Sequence, residues 1–158
     1  MRLTLLLCTL FALTLPVFAG ASTRATGDGT LAVTNADGFV RIQARGGVIG
    51  RCDSCSFVLQ DLTDADLIVP VVSGAEQRVD TDNDGVSEVY SGTNIRVRQV
   101  GGAFLLRITK GKDVDLSAVG RGWVKIRGTA GTYTVNDGAP EKVPAELRQF
   151  SLSASSTG

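Results

Sequence analysis

The sequence predicts an all-β fold, a single antiparallel β-sandwich or closed barrel of about ten short strands. Apolar and polar residues alternate in short runs, and glycine, asparagine or aspartate separates one run from the next. No window of about a dozen residues has a helical period. Short strands that recur about every 8–12 residues, with turn residues between them, are typical of sandwiches and barrels.

The N-terminal strands show this pattern most clearly. Thr30–Thr34 and Phe39–Arg45 both alternate, and Asn35–Gly38 supplies turn residues between them. In Phe39–Arg45 the aliphatic residues fall on one face and most polar residues on the other, as a half-buried strand requires. The remaining strands are predicted at Ser56–Gln60, Leu67–Val72, Glu76–Val79, Glu88–Tyr90, Ile95–Val100, Ala103–Thr109, Asp113–Val119, Trp123–Arg127 and Thr132–Asn136.

A small β-solenoid is the alternative architecture, because glycine-punctuated strands also stack as coils. Gly38–Ile42 (Gly-Phe-Val-Arg-Ile) resembles Gly122–Ile126 (Gly-Trp-Val-Lys-Ile). Two such segments do not establish a period, since hairpins commonly begin in this way. The sandwich or barrel is therefore the main prediction.

Both ends of the chain are predicted to lie outside the β-domain. Residues 1–19 have the basic start, short apolar core and small-residue end of a cleavable signal peptide, with cleavage after Ala21 as the alternative. Residues 22–28 are predicted to be flexible, residues 29–136 form the β-domain, and residues 137–158 are predicted to be mostly disordered. We therefore expect an exported protein, periplasmic or extracellular, with no integral membrane segment after cleavage.

Composition narrows the function classes. The chain has 16 basic and 16 acidic residues, and this balance argues against a dedicated nucleic-acid binder. It contains no histidine, which excludes Ser-His-Asp and Cys-His mechanisms and removes a common zinc ligand. We therefore predict a protein that is not an enzyme.

An acidic loop has the pattern of a calcium site. Residues 80–88 place carboxylates at loop positions 1, 3, 5 and 9, and a glycine at position 6 permits a sharp turn. Calcium takes six to eight oxygen ligands. A solvated turn that binds no ion is the alternative, because Asp, Asn and Gly are ordinary turn residues. The predicted ligands are the side chains of Asp80, Asp82, Asp84 and Glu88 and the carbonyl of Val86.

This loop resembles the Asp-x-Asp-x-Asp-Gly calcium loops of EF-hand and dockerin modules, and more closely those of FG-GAP propeller blades. It departs from the EF-hand pattern at position 12, where Ser91 replaces the bidentate glutamate. The flanks, Gln77–Val79 and Val89–Tyr90, are strand-like. The resemblance implies a β-hairpin that binds calcium as a structural ion.

Cys52 and Cys55 form a Cys-x-x-Cys pair. Zinc would need two more ligands, and the third cysteine, Cys8, lies in the predicted signal peptide. A thioredoxin-like redox pair opens a helix, whereas Ser56–Leu59 is strand-like. The main prediction is a local disulfide that closes a hairpin turn in an oxidising compartment. A redox-active pair and an intermolecular metal site or bridge are the alternatives.

Charge is segregated along the chain. Residues 53–88 include nine acidic residues and one basic residue, whereas residues 96–127 include eight basic and two acidic residues. Basic residues on adjacent strands would form a patch for phosphate or carboxylate groups. The alternative is that they are the solvated outer faces of half-buried strands. The candidate patch, if the two strands pair, is Arg96, Arg98, Lys125 and Arg127.

Two further readings belong to other function classes. Trp123 and Tyr133 are candidates for a carbohydrate-stacking pair, although a lone tryptophan beside an alternating strand more often belongs to the core or an interface. Asp113 and Asp115, or the acidic loop, are candidates for a carboxylate-based enzyme. The same aspartates are equally well explained as the outward face of a short strand.

Two segments, Tyr90–Arg98 and Val114–Gly122, resemble a family of small exported bacterial β proteins without assigned activity. The resemblance implies the fold and export, and it transfers no site residues. We expect a non-enzymatic exported β-domain with a structural or adhesive role. Calcium is the expected structural ion and an anionic envelope or matrix component the expected partner. A carbohydrate- or other ligand-binding module is the alternative.

Overall fold

The structure, a computed structural model, describes residues 27–63, 70–83 and 88–153, and all of its regular secondary structure there is β. The predicted signal peptide lies outside these residues. None of the described residues forms a helix long and apolar enough to cross a membrane. The strands are β1 (Gly29–Asp61), β2 (Val71–Val79), β3 (Val89–Gln99), β4 (Ala103–Val135), β5 (Glu141–Lys142) and β6 (Arg148–Leu152).

The six strands form one antiparallel sheet in the order β2-β3-β1-β4-β5, and β6 also pairs with β4. This order is open, with β2 at one end and β5 at the other. The predicted all-β antiparallel class is confirmed. The strand number differs from the prediction, because several short predicted strands run together within β1 and β4, each 33 residues long.

The merging has a backbone cause. Asn35 (φ 49°) and Gly38 (φ 153°) lie where the sequence predicts a turn, and both have positive φ. At these positions the ladder shifts register between β1 and β4. A bulge bends a strand without reversing it. The predicted turn is therefore a set of irregularities inside one strand.

β1 and β4 pair along two ladders. The first joins Leu31 to Val135 at one end and Asp61 to Phe104 at the other, and the second joins the N-terminal half of β1 to the first half of β4. Gly120 therefore lies opposite Gly46 in the first ladder and opposite Gly29 in the second. The stretch between these two glycines is about 55 Å of extended chain, so β1 must curve strongly to bring both beside Gly120.

Glycine permits this close crossing. A Cβ atom on Gly120 would lie 2.2 Å from the carbonyl oxygen of Arg45, and one on Gly46 would lie 2.0 Å from that of Val119. Both glycines also have φ above 150°, a conformation that side chains rarely adopt. This corner is therefore closed to any larger residue.

Alternation along the strands builds a single core. In β1 and β4 the buried positions recur mainly at every second residue, and they include Ile42, Leu106, Val124 and Ile126. Phe57 stacks on Tyr90 with ring centroids 4.9 Å apart. The opposite faces of the same strands are left to solvent, and there the charged side chains gather.

The internal resemblance between Gly38–Ile42 and Gly122–Ile126 also has a structural explanation. Val40 lies opposite Ile126 and Ile42 lies opposite Val124. The two segments are antiparallel neighbours that share one core face. Their similarity reflects cross-strand pairing, as opposed to the stacking of solenoid coils.

Two strands lie within residues 137–153, where composition predicted mostly disorder. β5 and β6 pair with β4, and Val143 (9 % exposed) and Leu152 (0 %) are buried. Two buried apolar side chains are enough to order this polar segment, because the edge of β4 offers it backbone hydrogen bonds. Residues 154–158 and 22–26, also predicted to be flexible, lie outside the described residues.

Candidate functional site

Three of the predicted calcium ligands lie together. Carboxylate oxygens of Asp80, Asp82 and Glu88 are all within 4.8 Å of one another. Asp84 and Val86 lie outside the described residues. Carboxylate oxygens at this spacing match the hard-oxygen preference of calcium.

Glu88 is the fixed member of this group. Its side chain is buried, and its Oε2 accepts hydrogen bonds of 2.7 Å from both the backbone NH and the hydroxyl of Thr81. These bonds hold the pKa of Glu88 below its usual value, although burial and the charge of Asp80 act in the opposite direction. Asp80 Oδ1 accepts a 2.7 Å bond from the NH of Asn83. In the described part of the loop, the carboxylates of Asp80 and Glu88 therefore hold the backbone at Thr81 and Asn83 through hydrogen bonds.

The disulfide between Cys52 and Cys55 is confirmed. Its setting differs from the prediction, because both cysteines lie inside β1 and no hairpin turn separates them. β1 pairs with β3 continuously through this stretch, while the ladder with β4 shifts between Ser54 and Ser56. Both cysteines are at least 94 % buried, so the bond faces the core and not a reactive surface.

The predicted basic patch does not form as one surface. Arg96 and Arg98 are on β3, which pairs with β1 and β2, whereas Lys125 and Arg127 are on β4. β1 lies between β3 and β4 in the sheet. The two pairs of cations therefore belong to separate surfaces with different neighbours.

The first surface is a row of cations across three strand segments. Arg41 lies directly opposite Lys125 in one ladder and directly opposite Arg107 in the other. Directly opposed residues in an antiparallel ladder project from the same face. In the part of the chain that the structure describes, none of the three forms an ion pair. We call Lys125, Arg41 and Arg107 the cation row.

Trp123 lies beside this row. The Arg41 guanidinium carbon is 5.1 Å from the centroid of its ring, and the Lys125 ammonium is 5.3 Å from it. Both distances are within the range of a cation–π interaction. The Nε of Arg41 is buried and has no hydrogen-bond partner among the residues that the structure describes. The indole thus lies against two cations, one of which carries this unpaired donor.

Further basic residues extend this face. Arg45 lies opposite Arg121, one row beyond Gln43 and Trp123, and Arg127 lies opposite Phe39 on the other side of the cation row. Arg121 contacts Asp28, with 3.3 Å between its Nε and the carboxylate. The Arg127 guanidinium lies 5.9 Å from the ring of Phe39. The face is therefore basic over several rows, with aromatic side chains within it.

The predicted carbohydrate-stacking pair is not supported by its placement. Tyr133 is only 2 % exposed, stacks on Phe150, and bonds through its hydroxyl to Glu141 (2.9 Å) and Arg148 (2.6 Å). A buried ring offers no platform for a sugar. Trp123 is partly buried beneath Arg41 and Lys125.

The aspartates considered for catalysis have structural contacts. Asp115 forms an ion pair with Arg51 and accepts a 2.8 Å hydrogen bond from the NH of Asn35. Asp113 is exposed, and its backbone NH donates to Asp37. The Lys112–Asp37 ion pair, 2.5 Å long, holds the pKa of Asp37 below its usual value. These contacts tie β4 to β1.

The second surface is a groove of about 720 Å³ on the sheet around Arg96 and Arg98. One row across it reads Val71, Arg98, Ile49, Ser117 and Ala32, each directly opposite the next. Val71 is 67 % exposed and Ile49 is 49 % exposed. The groove therefore combines apolar side chains with cations.

Sequence reasoning identified Lys125 but did not include Arg41 and Arg107 in the patch. Their outward orientation was readable from the alternation around them. Their juxtaposition was not, because it depends on β4 pairing with both edges of the same half of β1. No local pattern encodes a second ladder between the same two strands.

No protein-family model, curated protein or solved structure matches this chain. The functional argument therefore rests on the two surfaces and the acidic loop described above.

Proposed function

We propose that this protein is an exported, non-enzymatic β-domain whose cation row binds an anionic polymer of the cell envelope or the extracellular matrix. The observation that carries the proposal is the direct opposition of Lys125, Arg41 and Arg107 without a carboxylate partner in the described residues. The partner is a chain of phosphate or carboxylate groups, since repeated anions match cations repeated across a sheet.

The energetics of the row support this proposal. Like charges directly opposite one another in a sheet destabilise it, by roughly 0.2–1 kcal/mol for each pair. The row contains two such pairs, Lys125 with Arg41 and Arg41 with Arg107. A bound polyanion would remove this repulsion by supplying negative charge beside the three cations.

We also propose that the curved pairing of β1 and β4 makes the domain a two-layer sandwich. The buried residues of both strands belong to one hydrophobic cluster, and Gly29 and Gly46 both lie beside Gly120. In such an arrangement the inner faces meet in the core and the outer faces carry the two charged surfaces.

The test of polymer binding is isothermal titration of the mature protein with polyphosphate, polygalacturonate and neutral dextran at 50 and 300 mM NaCl. The matched variants are Arg41→Gln with Arg107→Gln, and Arg96→Gln with Arg98→Gln, which remove two charges each from different surfaces. We expect the first variant to lose at least about tenfold in affinity for one of the anionic polymers. The second should bind like the wild type.

Salt dependence and competitors give the contradicting outcomes. Binding that weakens from 50 to 300 mM NaCl is expected for exposed charges. Equal affinity of both double variants, or binding of dextran, would refute the role of the cation row. A DNA duplex that binds more tightly than both polymers would refute an envelope or matrix partner.

Export has a separate test. When the full chain is expressed with its own leader in a bacterium, mass spectrometry of the periplasmic and medium fractions should detect a protein that begins at Gly20. An intact N-terminus confined to the cytoplasm would contradict export.

The acidic loop supports calcium as a structural ion. Its three described carboxylates converge, and Glu88 is already fixed by Thr81. A cation would offset the mutual repulsion of Asp80, Asp82 and Glu88. An ion held in this way would stabilise the connection between β2 and β3.

The melting temperature in EDTA, calcium and magnesium tests this role. An ion that binds the native state preferentially raises the melting temperature. We expect a calcium-specific rise of several degrees that Asp82→Asn removes. Glu76→Gln, at an exposed glutamate of β2 outside the cluster, is the control and should keep the rise. No shift at 10 mM calcium would leave the loop as a polar turn.

A further inference from the structure

The groove around Arg96 and Arg98 differs from the cation row in the chemistry of its walls. Its lining includes the exposed side chains of Ile49 and Val71, together with the small side chains of Ala32 and Ser117. In the row across the groove, Val71, Arg98 and Ile49 are followed by the small residues Ser117 and Ala32. At about 720 Å³ the groove is within the size range of small-molecule sites.

Its cations are not equivalent. Arg51 is neutralised by Asp115 and lies 3.7 Å from a carboxylate oxygen of Asp53. Arg96 and Arg98 form no ion pair within the described ranges of the chain. Arg98 lies between Val71 and Ile49 in the same row of the sheet. A guanidinium without an ion-pair partner in the described residues thus lies between two exposed aliphatic side chains.

We propose that this groove binds a single-chain anionic amphiphile, with its acyl chain along Ile49 and Val71 and its phosphate or carboxylate head on Arg96 and Arg98. Covering the exposed side chains of Ile49 and Val71 with an apolar chain removes them from water, which favours binding. The guanidinium groups of Arg96 and Arg98, which form no ion pair with the described residues, favour an anion beside the aliphatic side chains. A ligand with an acyl chain and an anionic head contacts both the aliphatic side chains and the arginines. A bare anion contacts only the arginines, and a neutral chain contacts only the aliphatic side chains.

This site is separate from the one that binds the proposed polymer. The cation row has aromatic side chains beside it, and its cations are opposed to one another. In the groove, Arg98 is opposed to Val71 and Ile49. Failure of either proposal therefore leaves the other intact, because each has its own variants and its own probe.

The experiment is titration with dodecyl phosphate below its micelle concentration, followed by calorimetry and by NMR of the Ile and Val methyl groups. Dodecyl maltoside supplies the chain without the charge, and inorganic phosphate supplies the charge without the chain. Octyl and decyl phosphate vary the chain length. We expect saturable one-to-one binding of dodecyl phosphate, with affinity rising about two- to fourfold for each added methylene. Dodecyl maltoside and inorganic phosphate should each bind at least tenfold more weakly than dodecyl phosphate.

Two pairs of exposed variants distinguish the groove from general hydrophobic binding. Val71→Ser should weaken dodecyl phosphate binding at least fivefold, whereas Val79→Ser, on the same strand but outside the groove, should leave it unchanged. Arg98→Gln should weaken it about three- to tenfold, and Arg107→Gln on the cation row should not. All four side chains are exposed, so the fold tolerates the changes.

Three results would overturn the proposal. Equal affinity for dodecyl maltoside would show that the arginines do not select the head group. Equal loss in Val71→Ser and Val79→Ser, or no loss in either, would show that the chain does not lie in the groove. Binding without saturation would show that the detergent binds non-specifically.

Discussion

The cation row and the groove use the same kind of side chain in opposite ways. In the cation row, Arg41 lies opposite two other cations. In the groove, Arg98 lies opposite two aliphatic side chains. The first arrangement suits a polymer of repeated anions, and the second suits one anion attached to an apolar chain. The lesson is that the ligand class of a surface arginine is set by its cross-strand neighbours.

The corner at Gly120 is the feature on which both surfaces depend, and breaking it should give the largest effect. Gly120→Val would place a branched side chain against the carbonyl of Arg45 and force a residue that avoids positive φ into φ 153°. We expect a loss of about 3 kcal/mol in unfolding free energy, measured by urea denaturation. Both polymer and amphiphile binding should weaken with the fraction unfolded.

The control is Gly138→Ala, at an exposed turn position where an added Cβ meets one carbonyl oxygen at 3.1 Å. It should change stability by less than about 0.5 kcal/mol. Equal stability of Gly120→Val and the wild type would show that the close crossing of Gly46 and Gly120 is not formed in solution.

The disulfide should affect the two surfaces unequally. Cys52 follows the groove-lining Arg51 on β1, and the disulfide packs in the core on the opposite face of this strand. Replacing both with serine should cost about 2 kcal/mol, the chain-entropy value for so short a loop. We expect amphiphile binding at the groove to weaken while polymer binding at the cation row is retained in the folded fraction. Equal weakening at both surfaces would contradict a local effect.

Removing one charge from each surface should change stability differently. Arg107→Gln removes a repulsion with Arg41 and should raise the unfolding free energy by roughly 0.5 kcal/mol. Arg98→Gln removes no directly opposed cation and should leave it unchanged or slightly lower. Thermal denaturation at low ionic strength measures both. A destabilised Arg107→Gln protein would indicate that the cation row is a structural feature.

Acidification should loosen the edge beside the cation row before it affects the groove. Glu141 accepts hydrogen bonds from Tyr133 and Arg148, and these hold its pKa below the usual 4.5. A group with a lowered folded pKa stabilises the fold above its unfolded pKa and loses this contribution as the pH falls through the folded value. Hydrogen exchange in residues 137–153 should therefore accelerate below about pH 4.5.

The matched control for this pH effect is a second glutamate in the same connection. Glu141→Gln should show fast exchange in residues 137–153 already at neutral pH, whereas Glu146→Gln, at an exposed glutamate between β5 and β6, should behave as the wild type. Unchanged exchange in Glu141→Gln would mean that Val143 and Leu152 alone hold this segment.

The sequence predicted what depends on local pattern. The alternation in Phe39–Arg45 and Trp123–Arg127 identified the inward faces correctly, and the Cys-x-x-Cys spacing identified the disulfide. The local pattern was insufficient for contacts that depend on the pairing of strands far apart in the sequence. It did not reveal that Arg41 faces both Lys125 and Arg107, since both contacts are set by the curvature of β1 at its glycines.

The tail shows a related failure. Residues 137–153 are polar and contain two prolines, a composition that predicts disorder. Yet a free edge of β4 offers backbone hydrogen bonds, and Leu152 reaches the core. Composition indicates whether a segment can bury enough apolar surface to fold alone. It does not indicate whether the segment can pair with a strand of an existing sheet and bury a side chain in its core.

The most direct test of the two-surface account is one NMR experiment with both probes. Chemical-shift changes would be mapped on the folded protein during titration with polyphosphate and, in a parallel sample, with dodecyl phosphate. The account predicts that polyphosphate perturbs the Trp123 indole and the Arg41 side chain, while dodecyl phosphate perturbs the methyl groups of Ile49 and Val71. Perturbation of the same residues by both probes would contradict it.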